Sequence, residues 1–148
     1  MLLGTFAPKL DEKGRVILPA KFWDEFSGGL VMTRGVDRCV FVYSDREFER
    51  VLGAMSSVPV TTKEQRDRDR LFLSGASQEI PDKQRRVTIP SMLREYAALD
   101  RELTMIGVGT RAEIWDAKAW NDFYAARESG YATGTPSADS GEVIAGPF

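Results

Sequence analysis

Two kinds of apolar pattern alternate along this chain, and their order of appearance repeats once. Residues 2–6 and 15–18 are short apolar runs that predict strands. Residues 20–26 predict a short helix, with Phe22, Trp23 and Phe26 at helical spacing and Ser27-Gly28-Gly29 to end it. Residues 30–34 and 39–43 then predict a hairpin around Gly35-Val36-Asp37-Arg38. In the second half, residues 91–97 predict the matching helix, and 103–107 with 111–115 the matching hairpin.

A longer amphipathic helix follows each unit. Ser44-Asp45-Arg46-Glu47 reads as a capping box, in which the two side chains satisfy each other's free N–H groups. Phe48, Val51, Leu52 and Met55 follow at i, i+3, i+4 and i+7, a stripe for a core. Asp116 caps a second helix with Trp120, Phe123 and Tyr124 on one face. The connector 61–73 opens with a further box, Thr61-Thr62-Lys63-Glu64, and continues through Arg66-Asp67-Arg68-Asp69-Arg70. Alternating charge of this kind predicts a solvated helix face with local ion pairs, and a subunit contact is the sharper alternative. Beyond Arg127 the chain is mostly Gly, Ser, Thr, Ala and Pro, so 128–148 is expected to be a disordered tail.

The repeat is sharpest in one nine-residue stretch. Asp11-Glu12-Lys13-Gly14-Arg15-Val16-Ile17-Leu18-Pro19 returns as Asp82-Lys83-Gln84-Arg85-Arg86-Val87-Thr88-Ile89-Pro90. Asp, Arg, Val and Pro are identical at one common offset, which predicts a tandem duplication. Asp11 and Asp82 can open a turn through their side chains, and Gly14 supplies positive φ. Pro19 and Pro90 end the strand and suit a helix start. Arg15 and Arg86 therefore stand where an exposed turn becomes a strand. The repeats are placed at 5–48 and 76–119, together one globular domain over 1–127. The expected class is α+β, mainly β.

Composition narrows the chemistry. The 148 residues are 43% hydrophobic and 28% charged, ordinary for a globular domain. No apolar run approaches the length of a membrane helix, and the N-terminus lacks the pattern of a signal peptide, so a cytoplasmic protein is expected. There is no histidine, which removes the commonest general base and the commonest transition-metal ligand. The single cysteine, Cys39, lies in an apolar run and reads as a small buried hydrophobe. No cofactor, metal, catalytic residue or small-molecule substrate is expected. Net charge is −2, yet basic residues gather around both motifs: Lys9, Lys13, Arg15 and Lys21 in one, Lys83, Arg85, Arg86 and Arg94 in the other. Charge on one face matters for DNA more than the total does.

At these residues the chain resembles the MraZ family, a bacterial branch of the AbrB-like transcription factors. Its motif has the form D-x-x-G-R-Φ-x-Φ-P, with Φ apolar, and occurs twice. The resemblance covers 1–127. It implies a swapped-hairpin β-barrel built from both repeats, with helices packed around it. It also implies a ring-shaped homo-oligomer, associated with the nucleoid, that binds direct repeats of double-stranded promoter DNA. Binding would repress the family's own cluster of division and cell-wall genes. The motif arginines, carried over to Arg15 and Arg86, would contact DNA, supported by Lys9, Lys13, Lys83 and Arg85. The second copy departs from the motif, because Arg85 stands at the glycine position. Either that turn has another shape, or strain of about 1–2 kcal/mol is tolerated there.

Other readings stay open on the residues alone. Arg15 and Arg86 could do no more than pair with Asp11 and Asp82 inside their turns. An antitoxin-like module would bind DNA with its barrel and a protein partner with its tail. A small β-barrel enzyme would need an organised set of carboxylates, and none is evident.

Overall fold

Antiparallel strands and short helices alternate in a mixed α+β chain. The computed structural model describes residues 1–60 and 62–135. The order is β1 (Leu2–Phe6), β2 (Arg15–Ile17), a 3₁₀ turn (Ala20–Phe22), α1 (Trp23–Phe26), β3 (Leu30–Arg34), β4 (Val40–Ser44) and α2 (Asp45–Ser56). There follow α3 (Lys63–Ser74), β5 (Ser77–Glu79), β6 (Arg86–Thr88), α4 (Ser91–Tyr96), β7 (Leu103–Gly109), β8 (Ala112–Asp116) and α5 (Ala117–Thr133). Among the described residues no helix is long and apolar enough to cross a membrane.

The two repeats are interlocked rather than side by side. Six strands form one sheet in the order β1-β7-β8-β4-β3-β5, and β2 with β6 forms a separate ribbon. Each repeat thus gives its first strand to the other's hairpin: β1 pairs with β7, and β5 with β3. The hairpins meet at β4 and β8. Among the described residues the six-stranded ladder is open, with β1 and β5 at its edges, so hydrogen bonding does not close it into a barrel.

Alternation along the strands sets the layers. Val40 and Val42 of β4 enter a core with Leu30, Met32, Leu103, Met105 and Ile114, while Phe41 and Tyr43 point to the opposite face. The first core is roofed by the ribbon, the short helix of each repeat and their apolar anchors Val16, Leu18, Phe22, Val87, Ile89 and Leu93. The second lies under α2 and α3, where Phe48, Val51 and Phe72 pack on Tyr43 and Val31. The expected α2 stripe is therefore a core stripe. The connector helix α3 is held down by hydrogen bonds from Thr33 to the Phe72 carbonyl and from Arg34 to that of Leu71. Its charged face carries local pairs, Lys63–Asp67 at 2.6 Å and Arg70–Asp67 at 3.5 Å.

At one place β1 and β7 approach unusually closely. Gly4 lies opposite Gly107. A Cβ on Gly107 would fall 2.4 Å from the Leu2 carbonyl carbon and 2.4 Å from Leu3 N. Only a bare backbone allows β1 to lie there and bury Leu2.

Three sequence expectations are corrected. The connector's cap is Thr62, one residue on, and it shares a reciprocal box with Gln65. At α2 only half of the box forms: Ser44 accepts from Glu47 N–H, while the Glu47 carboxylate turns to Arg50. The tail does not begin at 128, because α5 continues to Thr133 and closes at Gly134 with φ 72. Once Asp116 has nucleated α5, extension through Ala125, Ala126, Arg127 and Glu128 costs little. The rest of that expected tail, 136–148, lies outside the described residues.

Candidate nucleic-acid interface

The ribbon has one buried face and one outward face. Its register pairs Arg15 with Thr88, Val16 with Val87, and Ile17 with Arg86. Paired residues share a face. Val16 and Val87 point into the core at 1% and 2% exposure, which turns Arg15, Ile17, Arg86 and Thr88 outward. A local twofold thus relates the motifs, and the arginines are diagonal neighbours about 7–8 Å apart.

Each arginine is held by its own turn. Asp11 Oδ1 accepts from the backbone N–H groups of Lys13 (2.9 Å) and Arg15 (2.8 Å). Its Oδ2 accepts from Arg15 Nε at 2.8 Å. The second turn repeats this: Asp82 Oδ1 accepts from Gln84 and Arg86 N–H, each at 2.9 Å, and Oδ2 from Arg86 Nε at 2.7 Å. Backbone bonds close both, with Gly14 N–H to Asp11 O and Arg85 N–H to Asp82 O at 3.0 Å each. The pairing of each arginine with its aspartate is therefore present. It uses only Nε and leaves the terminal nitrogens without a hydrogen bond among the described residues. A guanidinium fixed at its base and free at its fork is aimed, not consumed.

The Arg15 backbone N–H, above all, holds the Asp11 carboxyl below the ordinary carboxylate range, with help from the Arg15 guanidinium and Lys13 N–H. The Arg86 backbone N–H and guanidinium do the same for Asp82. A carboxyl lowered on folding contributes stability above its unfolded value, and that contribution is lost as pH falls through the lower folded value. The Asp11→Asn/Asp82→Asn protein is thus expected to trail the wild type most at neutral pH. The gap should close below about pH 4, as seen in melting temperatures measured from pH 2 to 7.

The other expected site residues fall in different places. Lys13 and Lys83 are exposed at the turn tips. Pro19 and Pro90 cap the short helices at φ −55 and −53. Lys9 sits on a β-bridge to Glu102, with its ammonium 3.8 Å from that carboxylate and outside the turn's hydrogen bonds. Arg85 resolves the question left by the sequence: it is at φ 64, against 77 at Gly14, so the turns share a shape and the strain is present. Its Nε donates to the Leu18 carbonyl at 3.0 Å, so this guanidinium braces the ribbon. Arg85→Ala keeps the strain and loses the bond, whereas Arg85→Gly loses both. The alanine variant should be the less stable by about 1–2 kcal/mol in urea unfolding. Ile17, 51% exposed, and Thr88 share the outward face with the two arginines and were not among the expected residues. Period-two alternation around Val16 and Val87 carried the signal.

The repeat has counterparts among known proteins. The family model for the MraZ protein, described as antitoxin-like, matches twice, over residues 1–71 and 72–136. A protein of Leifsonia xyli subsp. xyli is 56% identical over 148 residues, covering 100% of both chains. One of Micrococcus luteus is 57% identical over the same span, again 100% of each. One of Arthrobacter sp. (strain FB24) is 59% identical over 131 residues, 88% of this chain and 92% of that one. All are named transcriptional regulator MraZ. With two copies of the motif, interlocked repeats and this coverage, the chain belongs to the MraZ family.

Proposed function

We propose that this protein is a sequence-specific DNA-binding transcriptional regulator that lays the outward face of its ribbon in the major groove. The observation that carries this is the pair of Asp-braced arginines, Arg15 and Arg86, presented on one exposed face. The major groove admits a two-stranded ribbon, and arginine reads guanine O6 and N7 through its terminal nitrogens. A spacing of about 7–8 Å matches about two base-pair steps of 3.4 Å each. Ile17 would meet a thymine methyl, and Thr88 either a donor or an acceptor. Lys13 and Lys83 at the turn tips would face phosphates.

The finer reading follows the resemblance and the relatives' names. Several copies, assembled as a ring, would bind direct repeats in the promoter of the chain's own division and cell-wall gene cluster and repress it. One ribbon makes few contacts, and repetition raises avidity through effective concentration. The strand exchange between repeats supports reading the two sheets as a swapped-hairpin barrel. The antitoxin-like reading would add a protein partner. The aromatic face of α5, where Phe123 and Tyr124 are 38% and 51% exposed, is the observation in its favour.

The test is a titration of the DNA upstream of this protein's own gene against a scrambled duplex at two salt concentrations. Specific binding should exceed non-specific binding by at least about 10³-fold. Equal affinity for both duplexes would overturn sequence-specific recognition. A small protein that co-purifies in fixed ratio and blocks the DNA would favour the antitoxin-like reading.

A further inference from the structure

The two motif turns reach one geometry by different routes. Each turn abuts the strand end of the opposite motif, where backbone bonds join Leu18 N–H to Arg85 O and Ile89 N–H to Gly14 O, both 2.8 Å. Leu18 and Ile89 are equivalent positions, each directly before a motif proline. A guanidinium covers the carbonyl of each. At Leu18 it is that of Arg85, reaching out of the turn itself, with Nε 3.0 Å from the oxygen. At Ile89 it is that of Arg94, reaching down from α4, again with Nε at 3.0 Å.

The two solutions compete for the same space. A Cβ on Gly14 would lie 2.8 Å from Arg94 Cζ and 3.1 Å from its Nε. The side chain that Arg85 carries in its turn could not be placed at Gly14 while Arg94 stays. In the first repeat the position matching Arg94 is Trp23, which has no guanidinium to offer. One junction therefore combines the arginine of the second repeat's turn with the tryptophan of the first repeat's helix, and the other combines the glycine of the first repeat's turn with the arginine of the second repeat's helix.

We infer that Arg94 is a positioning residue for DNA recognition, acting through the Gly14 turn on Arg15 as Arg85 acts on Arg86. The inference rests on reading Arg15 as a DNA contact. Gly14 precedes Arg15 directly, and Asp11 ties the Arg15 backbone and Nε to the same turn, so the turn and its guanidinium tilt as a unit. Arg94 fixes that tilt from behind. A positioning role of this kind leaves the salt slope unchanged, which separates it from a phosphate contact.

The experiment is a cycle of Arg94→Ala, Arg15→Ala and the double variant, with Gly14→Arg added to wild type and to Arg94→Ala. Each protein is titrated against the duplex the wild type selects and against a scrambled one, at two salt concentrations, alongside a thermal melt. Arg94→Ala should weaken specific binding about 5-fold or more and cost little once Arg15 is gone. Binding to scrambled DNA and the salt slope should not change. Gly14→Arg should be harmful alone and should restore specific binding in the Arg94→Ala protein. Should Arg94→Ala unfold, Arg94→Gln, which keeps a stem and a donor, takes its place in the cycle. Losses that multiply in both Arg15 backgrounds, with a salt slope lower by about one, would make Arg94 a phosphate contact and overturn the inference. So would unchanged specific affinity in Arg94→Ala. Unchanged affinity in Arg15→Ala alone would instead remove the DNA reading beneath it.

Discussion

The Arg15→Ala/Arg86→Ala protein should lose about 30-fold to 10⁴-fold in affinity for its specific duplex, from about 1–3 kcal/mol per base-reading arginine. It should still fold as the wild type does. Both side chains are about a third exposed, and among the described residues each makes an ion pair only within its own turn. Exposed pairs of this kind contribute about 0–1 kcal/mol. Asp11 and Asp82 keep their backbone hydrogen bonds in the variant, so the turns should survive. A base-reading arginine loses affinity for the specific duplex and little for a scrambled one. An arginine on phosphate loses both evenly, with the salt slope falling by about one per contact. Titration at two salt concentrations separates these results. Specific affinity unchanged in a folded double variant would refute the ribbon as the reading head.

Gly107→Ala should destabilise the fold by roughly 3 kcal/mol or more, beyond the usual cost of overpacking. The added methyl meets main chain of Leu2 and Leu3, at 2.4 Å from an atom of each, and no side-chain rotation can relieve that. The strand β1 must lift off β7. With it goes Leu2, 1% exposed in the main core, and the contact of Phe6 on Phe22, whose rings meet edge to face at 5.0 Å. Urea unfolding should show a lower midpoint. Gly53→Ala on α2 is the control, because its Cβ meets nothing within 4 Å and a helix favours alanine. Equal stability in the two variants would show that β1 is not seated as described.

The duplication was legible because its signal is local. Asp11, Arg15 and Pro19 act within a few residues of one another, so their recurrence as Asp82, Arg86 and Pro90 reports the same turn twice. The stripe on α2 was legible for the same reason. The exchange of β1 and β5 between repeats was not, since the pairing of Leu2 with Gly109 leaves no mark on either neighbourhood. The braces were hidden too. Nothing near Arg94 in sequence says that its guanidinium fills the space beside Gly14, or that Arg85 bonds a carbonyl in the first repeat. Arg85 read as a cation for DNA because its exposure, not its reach, was what the sequence could express. The extent of α5 was misread because composition suggests a tail, whereas a capped helix propagates through alanine, arginine and glutamate.

The exchange of first strands fixes the order in which the chain can mature during synthesis. The strand β1 leaves the ribosome first, yet its partner β7 is made roughly a hundred residues later. At about 5–20 residues per second, β1 waits roughly 5–20 s for it. The hairpin β3–β4 can close early, but its outer neighbour β5 and its inner neighbour β8 both belong to the second repeat. A nascent first repeat therefore holds an unsatisfied hairpin and a stray strand, each complementary to second-repeat strands that a further-advanced neighbouring chain carries. Two chains emerging side by side on one messenger could trade strands before either is complete, and sparse ribosome loading would be the cell's simplest protection against it.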